Sequence, residues 1–331
     1  MNVSDAVALE CLKRMVVIRA VEEGICAEYS NRNIRGPVHL SIGQEAMAVG
    51  VLNVSRPDDV AVSTHRDHAH YLAKGGSVGA MVDELYGLET GCSRGYGGSM
   101  HLFSRDANFM GASAVLPGST PVAVGLALGC KLDGRRAVSI GFSGDGAADE
   151  GSFFEALNLA AVLRLPVLFV CENNGLSTNT PLDARQAQTD ISVKARAFGL
   201  KADAAEAIDV FAVRHAASRL LEVVRSTSEP AVLALSADRL CAHVGPVSKI
   251  ATINAEAMLE ESRDSDTRDP IAHCVGSILR DRPELRPDCV EILRTVPIEV
   301  GAEFRRANAT FEDRNAIAGL VAPPPPKSHT V

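Results

Sequence analysis

An aspartate between two glycines, Gly144-Asp145-Gly146, follows an apolar run at 138–142, and an asparagine pair, Asn173-Asn174, follows a second run at 167–171. A carboxylate and an amide oxygen are hard donors suited to Mg2+ or Ca2+. Glycines on either side of the aspartate let the main chain turn sharply and approach a ligand closely. The segment between the runs, 152–163, reads as a helix, so the order is strand, helix, strand. That is a right-handed parallel crossover, which brings both donors out at the same sheet edge. Open α/β sheets take their ligands at that edge. The helix after Gly146 aims its N-terminus there, which favours a diphosphate. Gly-Asp-Gly alone is usually a turn, and an asparagine pair alone is an ordinary loop. Their joint occurrence, each after a strand, carries the metal–diphosphate reading.

The elements that hold this pair are legible to different degrees. Helical periodicity covers 5–29, with Val7, Leu12, Met15, Val16 and Ile18 near one face. A second helix is expected from Ser41 through Gln44 and Glu45 toward Val51, then a short strand at 60–63, then a helix closed by Gly75-Gly76. Residues 78–89 read as a helix, 91–119 as loop, 121–130 as a small-residue helix, 206–225 as a helix and 231–235 as a strand. An irregular region at 239–253 leads into a charged, mostly helical last third. These patterns predict an α/β protein of three layers, a parallel central sheet between helices, with helical N- and C-terminal extensions. Residues 1–321 are expected to form one domain. The Pro-rich tail 322–331, containing Pro323 to Pro326, is expected to be disordered.

Bulk properties narrow the function classes. The 331 residues carry a formal net charge of -8, which disfavours nucleic acid and anionic membranes as partners. No apolar run reaches the roughly 18 residues of a membrane span. The first residues lack a signal or transit pattern, so a cytoplasmic protein is expected. Eight cysteines include no CxxC pair, which argues against a thiolate zinc site. Gly141, Gly144 and Gly146 lack the Gly-x-Gly-x-x-Gly spacing of a nicotinamide-binding turn.

The stretch from Gly144-Asp145-Gly146-Ala147 to Glu172-Asn173-Asn174-Gly175 resembles the thiamine-diphosphate signature. It is most similar to the alpha subunits of pyruvate, branched-chain 2-oxoacid and acetoin dehydrogenases. The likeness runs from about Arg35 to His243. It includes Gly36-Pro37-Val38-His39-Leu40, Gly43-Gln44-Glu45-Ala46, Ser63-Thr64-His65-Arg66-Asp67-His68-Ala69-His70, Gly97-Gly98-Ser99-Met100-His101 and Glu155-Ala156-Leu157-Asn158. The resemblance implies thiamine diphosphate and Mg2+, with Asp145, Asn174 and the Leu176 carbonyl as metal ligands. It implies His65 and Arg66 at the diphosphate, where an arginine fork suits phosphate geometry. Gly146 and Ala147 would offer main-chain contacts beside the diphosphate, and Leu116 one to the aminopyrimidine. His101 and His243 match active-centre histidines able to move protons. His39, His68 and His70 are open to packing roles, and structural roles are expected for Glu45, Glu150 and Glu155.

The resemblance further implies a beta subunit in an α2β2 assembly, since the glutamate that bonds the pyrimidine lies on that subunit. It also implies a 2-oxoacid or acetoin as substrate and a lipoyl-bearing acyltransferase as acceptor. Departures from the pattern are local. His243 is followed by Val244-Gly245-Pro246 instead of a serine-bearing loop, and Asp238-Arg239 stands in place of Tyr-Arg. No phosphorylation switch is therefore expected. Ala114 and Pro117 replace glycines, and Asp149 replaces an asparagine near the diphosphate. Alternative outcomes on the same cofactor are non-oxidative decarboxylation or carbon–carbon ligation. A non-catalytic scaffold would show no saturable cofactor binding.

Overall fold

The structure, a computed structural model, describes residues 3–34, 36–245 and 253–321, with side chains through residue 314. The tail at 322–331 and most of the loop after Gly245 lie outside the described residues. In chain order the strands are β1 (Val60–Thr64), β2 (Phe109–Ser113), β3 (Ser139–Gly144), β4 (Val167–Asn173), β5 (Leu176–Ser177), β6 (Thr180–Pro181), β7 (Lys201–Glu206) and β8 (Ala231–Ser236). Six of them form one sheet in the order β2-β1-β3-β4-β8-β7. Every neighbouring pair in it is parallel. Strands β5 and β6 make a separate small antiparallel ladder.

Among the described residues, eleven helices surround the sheet: α1 (Asp5–Tyr29), α2 (Glu45–Leu52), α3 (His68–Lys74), α4 (Val78–Leu85), α5 (Ser119–Leu132), α6 (Gly151–Leu163), α7 (Ile191–Ala197), α8 (Val210–Thr227), α9 (Ala255–Glu261), α10 (Pro270–Asp281) and α11 (Arg286–Val321). Side chains alternate across a strand, so β4 feeds two cores. Leu168 and Val170 pack in the larger core with residues of α1, α2, α8, α10 and α11. Val167, Phe169 and Cys171 pack in the smaller core with α5, α6 and α7. The expected three-layer α/β architecture is what the chain adopts.

Local chemistry accounts for the element ends. Ser4 caps α1 by accepting from the Val7 amide, and Asp209 caps α8 by accepting from Phe211 and Ala212. Asp269 caps α10 with Pro270 in the first turn, where a missing N–H does no harm. Gly75 closes α3 in the left-handed region.

Several elements differ from the sequence reading. The helix expected from Ser41 begins at Glu45, because Gly43 at φ +87° breaks the helical path. Helix α4 ends at Leu85, short of residue 89. The loop read at 91–119 contains β2, and α7 and β7 add two elements in the stretch after β4.

Sheet connections leave in opposite directions around β1 and β3. From β1 the chain passes through α3 and α4 on the larger-core face to the edge strand β2. From β3 it passes through α6 on the opposite face to β4. A crevice opens where neighbouring connections diverge in this way, at the C-terminal strand ends.

Candidate active site

A cleft at that crevice is lined by Thr64, His65 and Arg66 after β1, by Gly144 to Ala147 after β3, and by Glu172, Asn174, Leu176, Ser177 and Thr178 after β4. Gln44, Leu116 and His243 complete the wall. All the predicted site residues except His101 therefore meet in one place. His101 is exposed and lies outside that wall, its Nδ1 3.2 Å from the Ala112 carbonyl. Gly146 and Ala147 reach the cleft through a short 3-10 turn, Ala147–Asp149. Helix α6 starts only at Gly151, beyond the lining, so the turn and not the helix end borders the cleft.

Burial and pairing set the electrostatics. Asp145 is 4% exposed. Its Oδ2 accepts from Arg185, which also donates to Asp149, while Gln186 donates to Asp149 and to the Asp145 carbonyl. The charge added by Asp149 is thus turned toward the 182–190 segment. Asn174 Oδ1 accepts from the Leu176 amide at 3.2 Å, which curls the chain so that residues 174 and 176 face the same hollow.

Arg66 is buried, and burial lowers its pKa from the ordinary arginine value. One arm donates to the Leu40 carbonyl and the other to the His243 carbonyl at 3.4 Å. Part of its fork is therefore committed to protein, which ties three chain segments together at the cleft. Sequence reasoning gave Arg66 only a ligand contact.

Three imidazoles gather at this point. His39 and His65 have ring centroids 4.4 Å apart, and His243 lies 5.1 Å from the first and 5.6 Å from the second. Burial, then the neighbouring His65 and Arg66 charges, push the His39 pKa down to about 3. Burial and Arg66 push His65 down to about 4. His243 is lowered for the same two reasons. All three are neutral at physiological pH and can accept a proton or a cation.

The other histidines of the run have structural partners. His68 is fully buried, with Nδ1 2.9 Å from Glu22 Oε2 and Nε2 2.8 Å from Ser99 Oγ. Burial lowers its pKa, but the Glu22 carboxylate outweighs this and the net shift is upward. His70 stacks on Phe142 at 3.9 Å and bridges Ser63 Oγ (2.8 Å) to Glu172 Oε1 (2.9 Å). It thereby orients a carboxylate that lines the cleft. Glu45, expected to be structural, is fully buried and accepts from Arg19 Nε at 2.5 Å and the Gly43 amide at 3.0 Å.

The cleft suits a metal-bound diphosphate in shape and in donors. A Cβ on Gly146 would stand 2.5 Å from Ser177 Oγ, so only glycine leaves room for close main-chain approach. Gln44 Nε2 and His65 Nδ1 are buried without a hydrogen-bond partner, an arrangement that leaves donors or acceptors for a ligand. A larger hollow of about 650 Å3 shares Asn174 with the cleft and opens beside Asp238 and Arg268. Its wall does not include Asp145, Gly146 or Arg66, which line the smaller cleft.

Residues that sequence reasoning missed are Glu172 as a cleft-lining acid, Gln44, and the Arg185–Gln186 pair. The first two lay inside quoted motifs, whereas nothing local marks Arg185.

Comparison with known proteins agrees with this geometry. The profile of the family described as "Dehydrogenase E1 component" matches residues 13–267. The chain is 39% identical over 235 residues to the alpha subunit of acetoin:2,6-dichlorophenolindophenol oxidoreductase from Cupriavidus necator, covering 71% of each chain. It is 36% identical over 235 residues to the pyruvate dehydrogenase E1 component subunit alpha of Rhizobium meliloti, covering 71% of this chain and 68% of the relative. With the same subunit from Rickettsia felis the identity is 32% over 288 residues, 87% of each chain. The chain belongs to the dehydrogenase E1 component family.

Proposed function

We propose that the chain is the diphosphate-anchoring alpha subunit of a thiamine-diphosphate-dependent dehydrogenase acting on a 2-oxoacid or acetoin. The observation that carries this reading is the convergence of Asp145, Asn174, Gly146, Ala147, Arg66 and Leu116 on one cleft at the C-terminal edge of β1, β3 and β4. In it, Asp145, the Asn174 amide oxygen and the Leu176 carbonyl hold Mg2+. His65 and the uncommitted part of the Arg66 fork meet the diphosphate, Gly146 and Ala147 offer main-chain contacts, and Leu116 supports the aminopyrimidine. The cofactor supplies the carbanion-stabilising centre that a carbonyl substrate requires. His243, neutral and half-buried at the cleft, takes or returns a proton beside the substrate. His101 is assigned a later role in acyl handling, because its exposure suits an incoming arm better than the buried cleft does.

Residues 1–321 act as one domain in this reading, with a beta subunit completing the pyrimidine side and a lipoyl-bearing acyltransferase accepting the acyl group. An exposed apolar strip favours a partner. Val122 on α5 and Leu159, Val162 and Leu163 on α6 are all exposed, and α5 packs beside α6. Gly125 and Gly129 have open space where a side chain would project, so another helix can approach closely. No described helix is long and apolar enough to cross a membrane. The buried thiols of Cys11, Cys130, Cys171, Cys241, Cys274 and Cys289 are unbridged, in keeping with a reducing cytoplasm.

The test is calorimetric titration of thiamine diphosphate into the chain co-purified with its beta subunit, with and without Mg2+. Saturable, Mg2+-dependent binding is expected. Asp145→Ala should weaken it on the order of a hundred-fold or more, since a first-sphere ligand is lost where even an outer partner matters by 10- to 100-fold. Unchanged affinity in that variant would overturn the site assignment. Normal turnover by the alpha chain alone would overturn the two-subunit reading.

A further inference from the structure

We infer that Glu84 is the positioning residue of His101: its buried carboxylate organises the loop at 93–98 and so fixes where the imidazole stands. Glu84, near the end of α4, is 1% exposed. Its Oε2 accepts from the amides of Ser93 and Gly95, each at 2.8 Å. Its Oε1 accepts from the amides of Gly97 at 2.7 Å and Gly98 at 2.9 Å. A buried carboxylate is costly unless hydrogen-bonded, so the loop cannot open without stranding the charge. The loop has little packing of its own. The Arg94 side chain is 73% exposed and Tyr96 is 90% exposed. Its order therefore comes from the carboxylate that its amides surround.

The same bonds reach His101. The amides of Gly97 and Gly98 lead into the 3-10 turn Gly98–Met100, and His101 is the next residue. Ser93, whose amide Glu84 also holds, donates from Oγ to the His101 carbonyl at 3.0 Å. A Cβ on Gly97 would stand 2.7 Å from that carbonyl oxygen, so the loop closes tightly on His101. Ser99 Oγ lies 2.8 Å from His68 Nε2, and the Leu102 amide donates to Asp67 Oδ2 at 3.2 Å. Chain on both sides of His101 is thus tied to buried groups. His101 Nδ1, 3.2 Å from the Ala112 carbonyl, carries the proton, because a carbonyl only accepts. Nε2 keeps its lone pair on an exposed ring. A ring that meets an incoming acyl acceptor needs a fixed position, and a misplacement of about 1 Å can cost about a hundred-fold in rate. The link from Glu84 to turnover rests on the acyl-handling role proposed for His101; the link from Glu84 to the loop does not.

The experiment takes the chain with its beta subunit and lipoyl-bearing acyltransferase, with pyruvate or acetoin as substrate. It compares acyl transfer to the lipoyl arm with reduction of dichlorophenolindophenol, a small diffusible acceptor. Glu84→Gln turns an NH2 group toward two of the four amide donors. The lipoyl-dependent rate should fall about ten- to a hundred-fold, with the dye-dependent rate and the thiamine diphosphate affinity unchanged. In a His101→Asn background Glu84→Gln should cost nothing further, whereas a merely structural loss would add to the first. Amides of 93–98 should exchange hydrogen faster in Glu84→Gln, with 144–147 unchanged. Should Glu84→Gln fail to assemble, Ser93→Ala takes its place in the same comparison, with a loss of about five-fold for one hydrogen bond. Additive losses, or equal slowing with both acceptors, overturn the proposal. If His101→Asn alone leaves the lipoyl-dependent rate intact, the acyl role of His101 is what fails. Unchanged exchange at 93–98 in Glu84→Gln then overturns the positioning role as well.

Discussion

The carboxylate best placed to hold a cation is engaged by a guanidinium, because Arg185 bridges Asp145 and Asp149. A metal entering there competes with a charge-assisted pair, worth about 1.5–3 kcal/mol for hydrogen bonds to charged groups. Arg185→Ala removes that competitor. Mg2+-dependent binding of thiamine diphosphate is expected to tighten about ten-fold, read as a lower Mg2+ midpoint at fixed cofactor. A weaker midpoint would show that Arg185 instead contacts the ligand. Asp145 and Asn174 were readable from the sequence because each ends a buried strand, which fixes both position and direction. Arg185 was not, since its contact depends on how a loop 40 positions further on folds back, and no local pattern encodes that. The histidine run was half readable. The family resemblance pointed to His65 and His243 as site residues, but only packing separates His68 and His70, held by Glu22 and Glu172, from His39, which has a ring nitrogen unpaired.

Helix α1 is the element on which the β1 side of the cleft depends. Its buried Arg19 joins Glu45 of α2 to Asp269 at the start of α10, and Glu22 accepts from the Ser41 amide and meets His68. These pegs fix residues 38–45, the segment that carries His39 and Gln44. Glu45→Ala strips one partner from a fully buried guanidinium, and breaking such a pair costs about 3–5 kcal/mol. Urea unfolding should show a midpoint lowered accordingly at unchanged slope, while a loss below about 1 kcal/mol would mean that Asp269 alone satisfies Arg19. The central strands β3 and β4 and helices α1, α5, α6 and α8 were legible because each is buried on at least one continuous face. Strands β2 and β7 were not. Both are sheet edges, where one side of the ladder is open and the burial pattern gives no clean alternation. Sequences such as Phe-Met-Gly-Ala-Ser and Lys-Ala-Asp-Ala-Ala-Glu are weak strand formers, and the neighbouring strand makes them extended.

At the scale of the molecule, buried ionisable groups give a stability profile with opposing arms. His39 and His65 have folded pKa values of about 3 and about 4 against 6.5 in the open chain. Below 6.5 the unfolded state takes up protons that the folded state refuses, so these groups lower stability as pH falls toward 4. Asp67 and Glu23, raised by burial to about 8 and about 7, act oppositely, since their folded forms keep protons that the unfolded chain releases above about 4. The histidine arm is isolated by difference. Between pH 7 and 5 the thermal midpoint of wild type should fall more than that of His39→Asn, and parallel curves would reject the assignment. The exposed α5–α6 face is where the proposed assembly can be tested. Val162 is 70% exposed, so Val162→Glu should alter the isolated fold by no more than about 0.5 kcal/mol. If that face is buried against a partner, the new carboxylate is desolvated without a counter-ion, at about 2–5 kcal/mol. Light scattering behind size-exclusion chromatography, run over a dilution series, should then show the complex dissociating at a concentration at least about 30-fold higher than wild type. An identical mass at every dilution would place the interface elsewhere, leaving the open glycines of α5 without a packing role.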